Sequence, residues 1–161
     1  MNETNGGGNG SNGGGQPSAE RQFLLQQLYV KDLSFEAPNA PTIFASESGE
    51  PDVQLNLKNS HSRLDDNRFE VVLHINVHAK LNDRSVFLVE IDQAGVFYVN
   101  GYDDAEVRRL LGIFCPNTLF PYAREAVSSI VSKGGFPPLV LQPINFDALY
   151  AQAEQKEAAA G

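Results

Sequence analysis

A cysteine, two histidines and several acidic residues are the side chains of this sequence whose types and spacing could do chemistry. Cys115, the single cysteine, stands in the segment FCPN at the end of an apolar stripe. A reactive thiolate needs a neighbouring base or a helix N-terminus, and a cysteine in an apolar stripe is more typical of a small buried hydrophobic residue. We therefore interpret Cys115 as a packing residue and keep a thiol enzyme as the alternative.

His74 and His78 lie four residues apart in a segment that alternates between apolar and polar residues. A regular strand rises about 3.3 Å per residue, so the two imidazoles would lie roughly 13 Å apart, too far to share a metal ion. The sequence shows no phosphate-binding glycine loop, no serine–histidine–aspartate ordering and no G-x-S-x-G elbow. It therefore predicts a protein that is not an enzyme, with no catalytic residue, no metal and no cofactor.

Acidic residues outnumber basic residues, 20 against 12, and the formal net charge is −8. Such a chain lacks the basic surplus of a nucleic-acid-binding protein and suits a basic partner, although the same acidity would also serve solubility alone. The sequence shows no signal peptide and no apolar run of about 18 residues that could insert into a membrane. With one cysteine, it predicts a protein of the reducing cytoplasm.

The elements that position these side chains are first of all strands. Residues 1–19 are rich in glycine and asparagine and predict a disordered tail, residues 20–150 predict one folded domain, and residues 151–161 predict a frayed end. Within the domain, alternation predicts strands over 28–36, 53–58, 69–80 and 85–93. Tyr29, Leu33 and Phe35 are expected on one side of the first strand, and Gly95 is expected to form a bulge or bend.

The second half of the domain has helical spacing. Asp103 and Glu106 fit a capping box, and the apolar residues that follow recur at helical intervals. Pro116 is expected to interrupt this long helix, and Pro121 to start its second part. Asn145 is expected to cap a short final helix. The sequence thus predicts an α+β fold, a four-stranded antiparallel sheet with a long, kinked helix and a short C-terminal helix on one face.

Two surfaces remain as candidate sites. If the first and fourth strands are neighbours, their polar faces form an acidic patch from Asp32, Ser34, Glu36, Leu88, Glu90 and Asp92, which is either a dock for a basic peptide or an ordinary solvated face. The proline-rich segments around Phe44 and Phe136 cannot pair into the sheet. Their apolar side chains either line a groove or cover the core.

Three segments of the sequence resemble SecB, the bacterial protein-export chaperone family: KDLSFEAPNAPTIF (31–44), FLVEIDQAGVF (87–97) and LLGIFCPNTLFPYAREAVSSIVSKGGFPPLVLQPINFDALY (110–150). The resemblance implies the fold just described, assembled as a dimer-of-dimers homotetramer. It also implies a cytoplasmic chaperone that binds unfolded preproteins without ATP, keeps them competent for translocation and passes them to the SecA motor. SecA would dock through its basic, zinc-bearing C-terminal tail.

The resemblance also implies roles for particular residues. The SecA docking residues would be Asp32, Ser34, Glu36, Leu88 and Glu90. The client groove would comprise Ile43, Phe44, Val53, Leu55, Leu57, Phe136, Leu139, Leu141, Phe146 and Leu149. The oligomerisation residues would be Val89, Ile91 and Gln93.

The chain departs from that pattern in one respect relevant to the groove. Members of the family often carry a tryptophan before the second strand, and this chain has none, so the deep aromatic part of its groove is expected to be shallower or differently filled. Two other functions stay open: a SecB-like chaperone of a toxin–antitoxin system, and a structural subunit without client grooves.

Overall fold

The structure is a computed structural model and describes residues 20–46 and 49–161. The predicted tail, residues 1–19, lies outside the described residues. The sheet consists of β1 (Gln22–Glu36), β2 (Asp52–Arg63), β3 (Arg68–Leu81) and β4 (Arg84–Asn100). Its strands pair antiparallel in the order β1–β4–β3–β2, so the chain crosses from one edge of the sheet to the other between β1 and β2. The predicted antiparallel sheet is confirmed, and every strand is longer than predicted.

The two faces of the sheet differ in burial. Along β3, Val71, Leu73, Ile75, Val77 and Ala79 are almost fully buried, and they form the face on which the helices pack, here called the inner face. The residues between them, from Glu70 to Lys80, form the outer face, where the polar side chains are only partly buried. One apolar and one polar face per strand is the pattern expected of a sheet covered on one side.

β1 contains two irregularities that the sequence did not predict. Its register with β4 shifts between Leu25 and Gln27 and again between Val30 and Asp32. Because each extra residue reverses the side on which the following residues lie, Tyr29 pairs with Ala94 on the outer face. Grouping Tyr29 with Leu33 and Phe35 on one side was therefore wrong.

Gly95 does not form the expected bulge in β4, because it stays in register with β3 opposite Val71. A Cβ atom at this position would lie 3.0 Å from Cδ1 of Leu25 and 3.1 Å from the carbonyl oxygen of Gln27. Glycine therefore gives the bulged β1 room to approach β4 closely.

The α-helices are α1 (Ile43–Ser46) in the crossover, α2 (Asp104–Arg109), α3 (Cys115–Lys133) and α4 (Phe146–Ala160). The predicted capping box at the start of α2 is confirmed, with Glu106 N donating to Asp103 Oδ1 at 2.8 Å and Asp103 N donating to Glu106 Oε2 at 3.0 Å. Gly134 caps α3. No helix of the described residues is both long and apolar enough to cross a membrane.

Pro116 does not interrupt the long helix. A π-helical turn, Leu110–Phe114, joins α2 to α3, and Pro116 lies in the first turn of α3, where its missing N–H is tolerated. Pro121, predicted to start a helix, lies inside α3 instead. Both prolines were predicted to be helix boundaries, whereas the wider turn accommodates Pro116 within one continuous helix.

α4 runs to Ala160, past the end predicted at residue 150, so residues 151–160 are helical. Its N-cap is confirmed, because Ala148 N donates to Asn145 Oδ1 at 3.0 Å. The start of α4 packs on the long helix: the rings of Phe146 and Phe120 meet edge to face at 6.0 Å, and the Tyr150 ring lies against Gly112.

Candidate functional site

The acidic patch of β1 and β4 is a contiguous surface. On the outer face Asp32 pairs with Asp92, and Ser34 pairs with Glu90. Glu36 pairs with Leu88 in the same register. Directly paired residues of antiparallel strands lie on the same side of the sheet. The five docking residues implied by the resemblance therefore lie together, and all of them are exposed except Leu88, which is half-buried.

Neighbouring polar residues hold the side chains of this patch. Asn76 Nδ2 donates to Glu90 Oε1 at 3.0 Å, and His74 Nδ1 lies 2.7 Å from Asp92 Oδ1. Hydrogen bonds from β3 thus fix two carboxylates of β4. These carboxylates are therefore ordered on the outer face before anything binds there.

Beside the patch, the bulged part of β1 is tied across β4 to β3. Lys31 Nζ lies 2.7 Å from Glu70 Oε1, and the hydroxyl of Tyr29 donates to the other oxygen of the same carboxylate. Burial and the Glu70 carboxylate raise the pKa of Tyr29 to about 12. The hydrogen bonds from Lys31 and Tyr29 lower the pKa of Glu70. No sequence pattern indicates this cluster, because the bulge in β1 brings its members together.

The second surface contains a cavity of about 490 Å³, here called the aromatic cavity. Phe44 of the crossover and Phe136 after α3 form its walls, with ring centroids 5.1 Å apart, and Phe87 packs against Phe136 at 5.4 Å. Phe44 is 52% exposed, so aromatic surface is open to a ligand. Ser48, at the place where the resemblance leads us to expect tryptophan, lies outside the described residues.

A second cavity of about 500 Å³, here called the α4 cavity, lies between β2 and α4. Leu57, Asn59 and His61 line it from β2, and Phe146 and Leu149 line it from α4. Charged residues complete its lining: Arg108, Glu154 and Glu157. The lining of the α4 cavity is therefore partly apolar and partly charged.

The residues implied for the client groove are divided between these cavities. Five line the aromatic cavity: Ile43, Phe44, Val53, Phe136 and Leu139. Three line the α4 cavity: Leu57, Phe146 and Leu149. Leu55 lies between them on the inner face of β2 and is 40% exposed, whereas Leu141 lines neither cavity and is buried in the core. β2 is an edge strand, and its inner face carries Val53, Leu55 and Leu57 at alternate positions. These three side chains connect the two cavities along the strand.

The implied oligomerisation residues belong to the core of the chain itself. Val89, Ile91 and Gln93 are buried on the inner face of β4, and Gln93 Nε2 donates to the carbonyl oxygen of Tyr29 at 3.1 Å. The neighbouring edge strand carries the exposed apolar residues Leu25, Leu28, Val30 and Leu33.

Cys115 and His74 line neither the aromatic cavity nor the α4 cavity. Cys115 is fully buried, and burial raises the pKa of its thiol, which disfavours the nucleophilic thiolate. His74 Nε2 lies 2.8 Å from Ser60 Oγ, so Ser60, His74 and Asp92 form a serine–histidine–aspartate arrangement that their order in the sequence did not indicate. These three residues lie on the outer face of the sheet, and neither cavity described above includes them. Among the described residues, no group of three or more histidine, cysteine, aspartate or glutamate side chains could hold a metal ion.

Comparison with known proteins gives consistent matches over nearly the whole chain. Residues 16–157 match the family described as preprotein translocase subunit SecB. The protein-export protein SecB of Nitrosococcus oceani is 54% identical over 88% of this chain and 87% of its own length. That of Marinobacter nauticus is 50% identical over 91% of this chain and 90% of its own length.

Among solved structures, a SecB-like chaperone of Mycobacterium tuberculosis in complex with an antitoxin peptide superposes with a TM-score of 0.63. The superposition covers 76% of this chain and 91% of that one at 15% identity. At that identity the likeness establishes the fold alone.

Proposed function

This chain belongs to the SecB family of protein-export chaperones, and we propose that it holds unfolded preproteins in the cytoplasm without ATP and delivers them to SecA. The observation that carries this proposal is the separation of two surfaces on one sheet. The acidic patch lies on the outer face, whereas the apolar groove lies along the inner face of β2. One chain can therefore hold a client and dock on a motor at the same time.

Client binding follows from the apolar groove. An unfolded chain exposes apolar segments that a folded protein hides, and burying them contributes about 25 cal/mol per Å² before the ordering cost is subtracted. A single groove would bind weakly. We propose a homotetramer, in which several grooves on one particle raise the avidity by roughly 10² to 10⁴. The exposed apolar row on β1 supports such an assembly, since large apolar patches are usually covered by a partner.

Docking of SecA follows from the acidic patch. The basic, zinc-bearing tail of SecA complements Asp32, Glu36 and Glu90, which are exposed. Because these charges are exposed, the attraction should weaken as salt is added. The zinc belongs to the partner.

The test measures both surfaces separately. Light scattering coupled to size exclusion should show a tetramer that forms a stable complex with a chemically unfolded preprotein in the absence of nucleotide, and no complex with the folded preprotein. Glu36→Lys and Glu90→Lys should weaken binding of the SecA tail and leave client binding unchanged. Equal loss of both activities in these variants would contradict the two-surface proposal.

The alternative function, chaperoning a toxin–antitoxin pair, rests on a likeness that shows only the fold. The relatives named as protein-export proteins are far more similar and cover most of this chain, which favours export. A thiol enzyme is a further alternative: Cys115→Ala would abolish its activity but leave a chaperone working.

A further inference from the structure

Three side chains on the outer face of the sheet are joined in a row by close polar contacts. Ser60 lies on β2, His74 on β3 and Asp92 on β4, and His74 pairs directly with Asp92 in the strand register. Ser60 Oγ lies 2.8 Å from His74 Nε2, and His74 Nδ1 lies 2.7 Å from Asp92 Oδ1. Hydroxyl, imidazole and carboxylate therefore follow one another in the order of a serine nucleophile and its general base.

The carboxylate determines which imidazole nitrogen can accept a proton. An ionised carboxylate only accepts hydrogen bonds, so Nδ1 of a neutral His74 must carry the proton that faces Asp92. Nε2 then has a free lone pair and accepts from the Ser60 hydroxyl. When the hydroxyl proton moves to Nε2, the Asp92 carboxylate stabilises the imidazolium that forms. The arrangement therefore makes the oxygen of Ser60 a better nucleophile than an ordinary serine oxygen.

The row is open to solvent. The side chains of His74 and Asp92 are 37% and 33% exposed, and Ser60 is half-buried. A small reagent can approach from above the sheet, but an open strand face does not orient a large substrate. The site therefore fits small, activated acyl donors, in which a good leaving group replaces the binding energy that a cavity would supply.

We propose that Ser60 is an acyl-acceptor site, at which a small activated acyl donor modifies the protein. Ser60 Oγ attacks the carbonyl carbon of the donor, and the hydroxyl proton passes to His74 Nε2 as the new bond forms. The bond between the carbonyl carbon and the leaving group then breaks. The leaving group departs with the electron pair and takes the proton from His74, so the imidazole becomes neutral again.

The acyl group should remain on the protein. The acylated serine is an alkyl ester, and an alkoxide is a poorer leaving group than the phenolate of an aryl ester. Water therefore displaces Ser60 more slowly than Ser60 displaces the phenolate. The outcome is one modification per chain without turnover, and it goes beyond the chaperone function and does not depend on it.

The test compares two serines of one strand in the same sample. The full chain is incubated with p-nitrophenyl acetate, and tandem mass spectrometry assigns each acetyl group to its residue, which separates serines from lysine amines. Ser62 is the internal control, because it lies on the outer face of β2 opposite Glu70 rather than beside a histidine, and it is more exposed than Ser60. Ser60 should be acetylated roughly 10²- to 10⁴-fold faster than Ser62, which is the contribution of a general base.

Variants assign the faster rate to the row. In His74→Gln the amide can still hydrogen-bond to Ser60 but cannot take its proton, so acetylation of Ser60 should fall to the rate of an unassisted serine. Asp92→Asn no longer selects the productive tautomer and should slow the reaction by roughly 10-fold or more. His78→Gln is the matched control: it removes another histidine from the outer face of β3 and should leave the rate at Ser60 unchanged.

Two results would overturn the assignment. One is equal acetylation of Ser60 and Ser62 in the unmodified protein, a comparison that needs no variant to fold. The other is a rate at Ser60 that persists in His74→Gln. Either result would leave the proposed chaperone function in place, because neither the client groove nor the five docking residues include Ser60 or His74.

Discussion

Gly112→Ala should reverse the sign of its effect on stability when Tyr150 is also changed. A Cβ atom on Gly112 would lie 2.5 Å from Cδ2 and 2.6 Å from Cε2 of Tyr150, far inside van der Waals contact. The ring is rigid and belongs to α4, so relieving the clash must displace the Tyr150 side chain, the start of α4, or both. Overpacking of this kind costs about 1–3 kcal/mol.

The opposing effect is the preference of helices for alanine over glycine, about 1 kcal/mol. In the unmodified background the clash outweighs this gain, so Gly112→Ala should lower the free energy of unfolding by up to about 2 kcal/mol. In the background of Tyr150→Ala the clash is absent. There Gly112→Ala should raise the free energy of unfolding by about 1 kcal/mol.

Urea unfolding of the four proteins measures both numbers, at one fixed protein concentration because assembly would shift the midpoint. Hydrogen exchange supplies a second measurement, since a displaced α4 should lose protection in Gly112→Ala alone. Binding of a chemically unfolded preprotein should also fall in that variant, because α4 forms one wall of the α4 cavity. The same effect of Gly112→Ala in both backgrounds would refute this account of how α4 is seated.

Three further predictions concern the core and the sheet. Gly95→Ala should lower the free energy of unfolding by about 1–3 kcal/mol, measured by urea unfolding, because its Cβ would lie 3.1 Å from a backbone oxygen of β1; an unchanged midpoint would contradict the close approach of the bulge. Cys115 should react with a thiol reagent only after denaturation, and rapid labelling of the native protein would contradict its burial. Cys115→Ser should lower the free energy of unfolding by about 1–3 kcal/mol, because it buries a hydroxyl. The pKa of Tyr29 is raised to about 12, so its stabilising contribution is complete below the ordinary value of 10.0 and is lost as pH rises through 12. The absorbance difference from Tyr29→Phe should show this late titration, and a normal titration would contradict the contact between Tyr29 and Glu70.

Much of the fold could be predicted because it depends on residues close together in the sequence. Alternation within β3 identified its buried side, since a strand turns successive side chains to opposite faces. The capping box at Asp103 and the cap at Asn145 each involve a side chain and a backbone N–H three residues apart. The acidic patch was also predictable, because the even positions of β1 after residue 31 needed only a neighbouring β4 to form one surface.

The sequence alone misplaced features that depend on contacts between distant segments. The bulges of β1 moved Tyr29 to the outer face, and only the pairing with β4 shows where an extra residue is inserted. Pro116 has no N–H to offer the carbonyl oxygen of Leu111 in the preceding turn. Asn59, far away in the chain, donates to that oxygen from its Nδ2 atom at 3.0 Å. Local propensity treats proline as a break because it considers only the chain's own backbone, whereas tertiary structure brings in a donor from another strand.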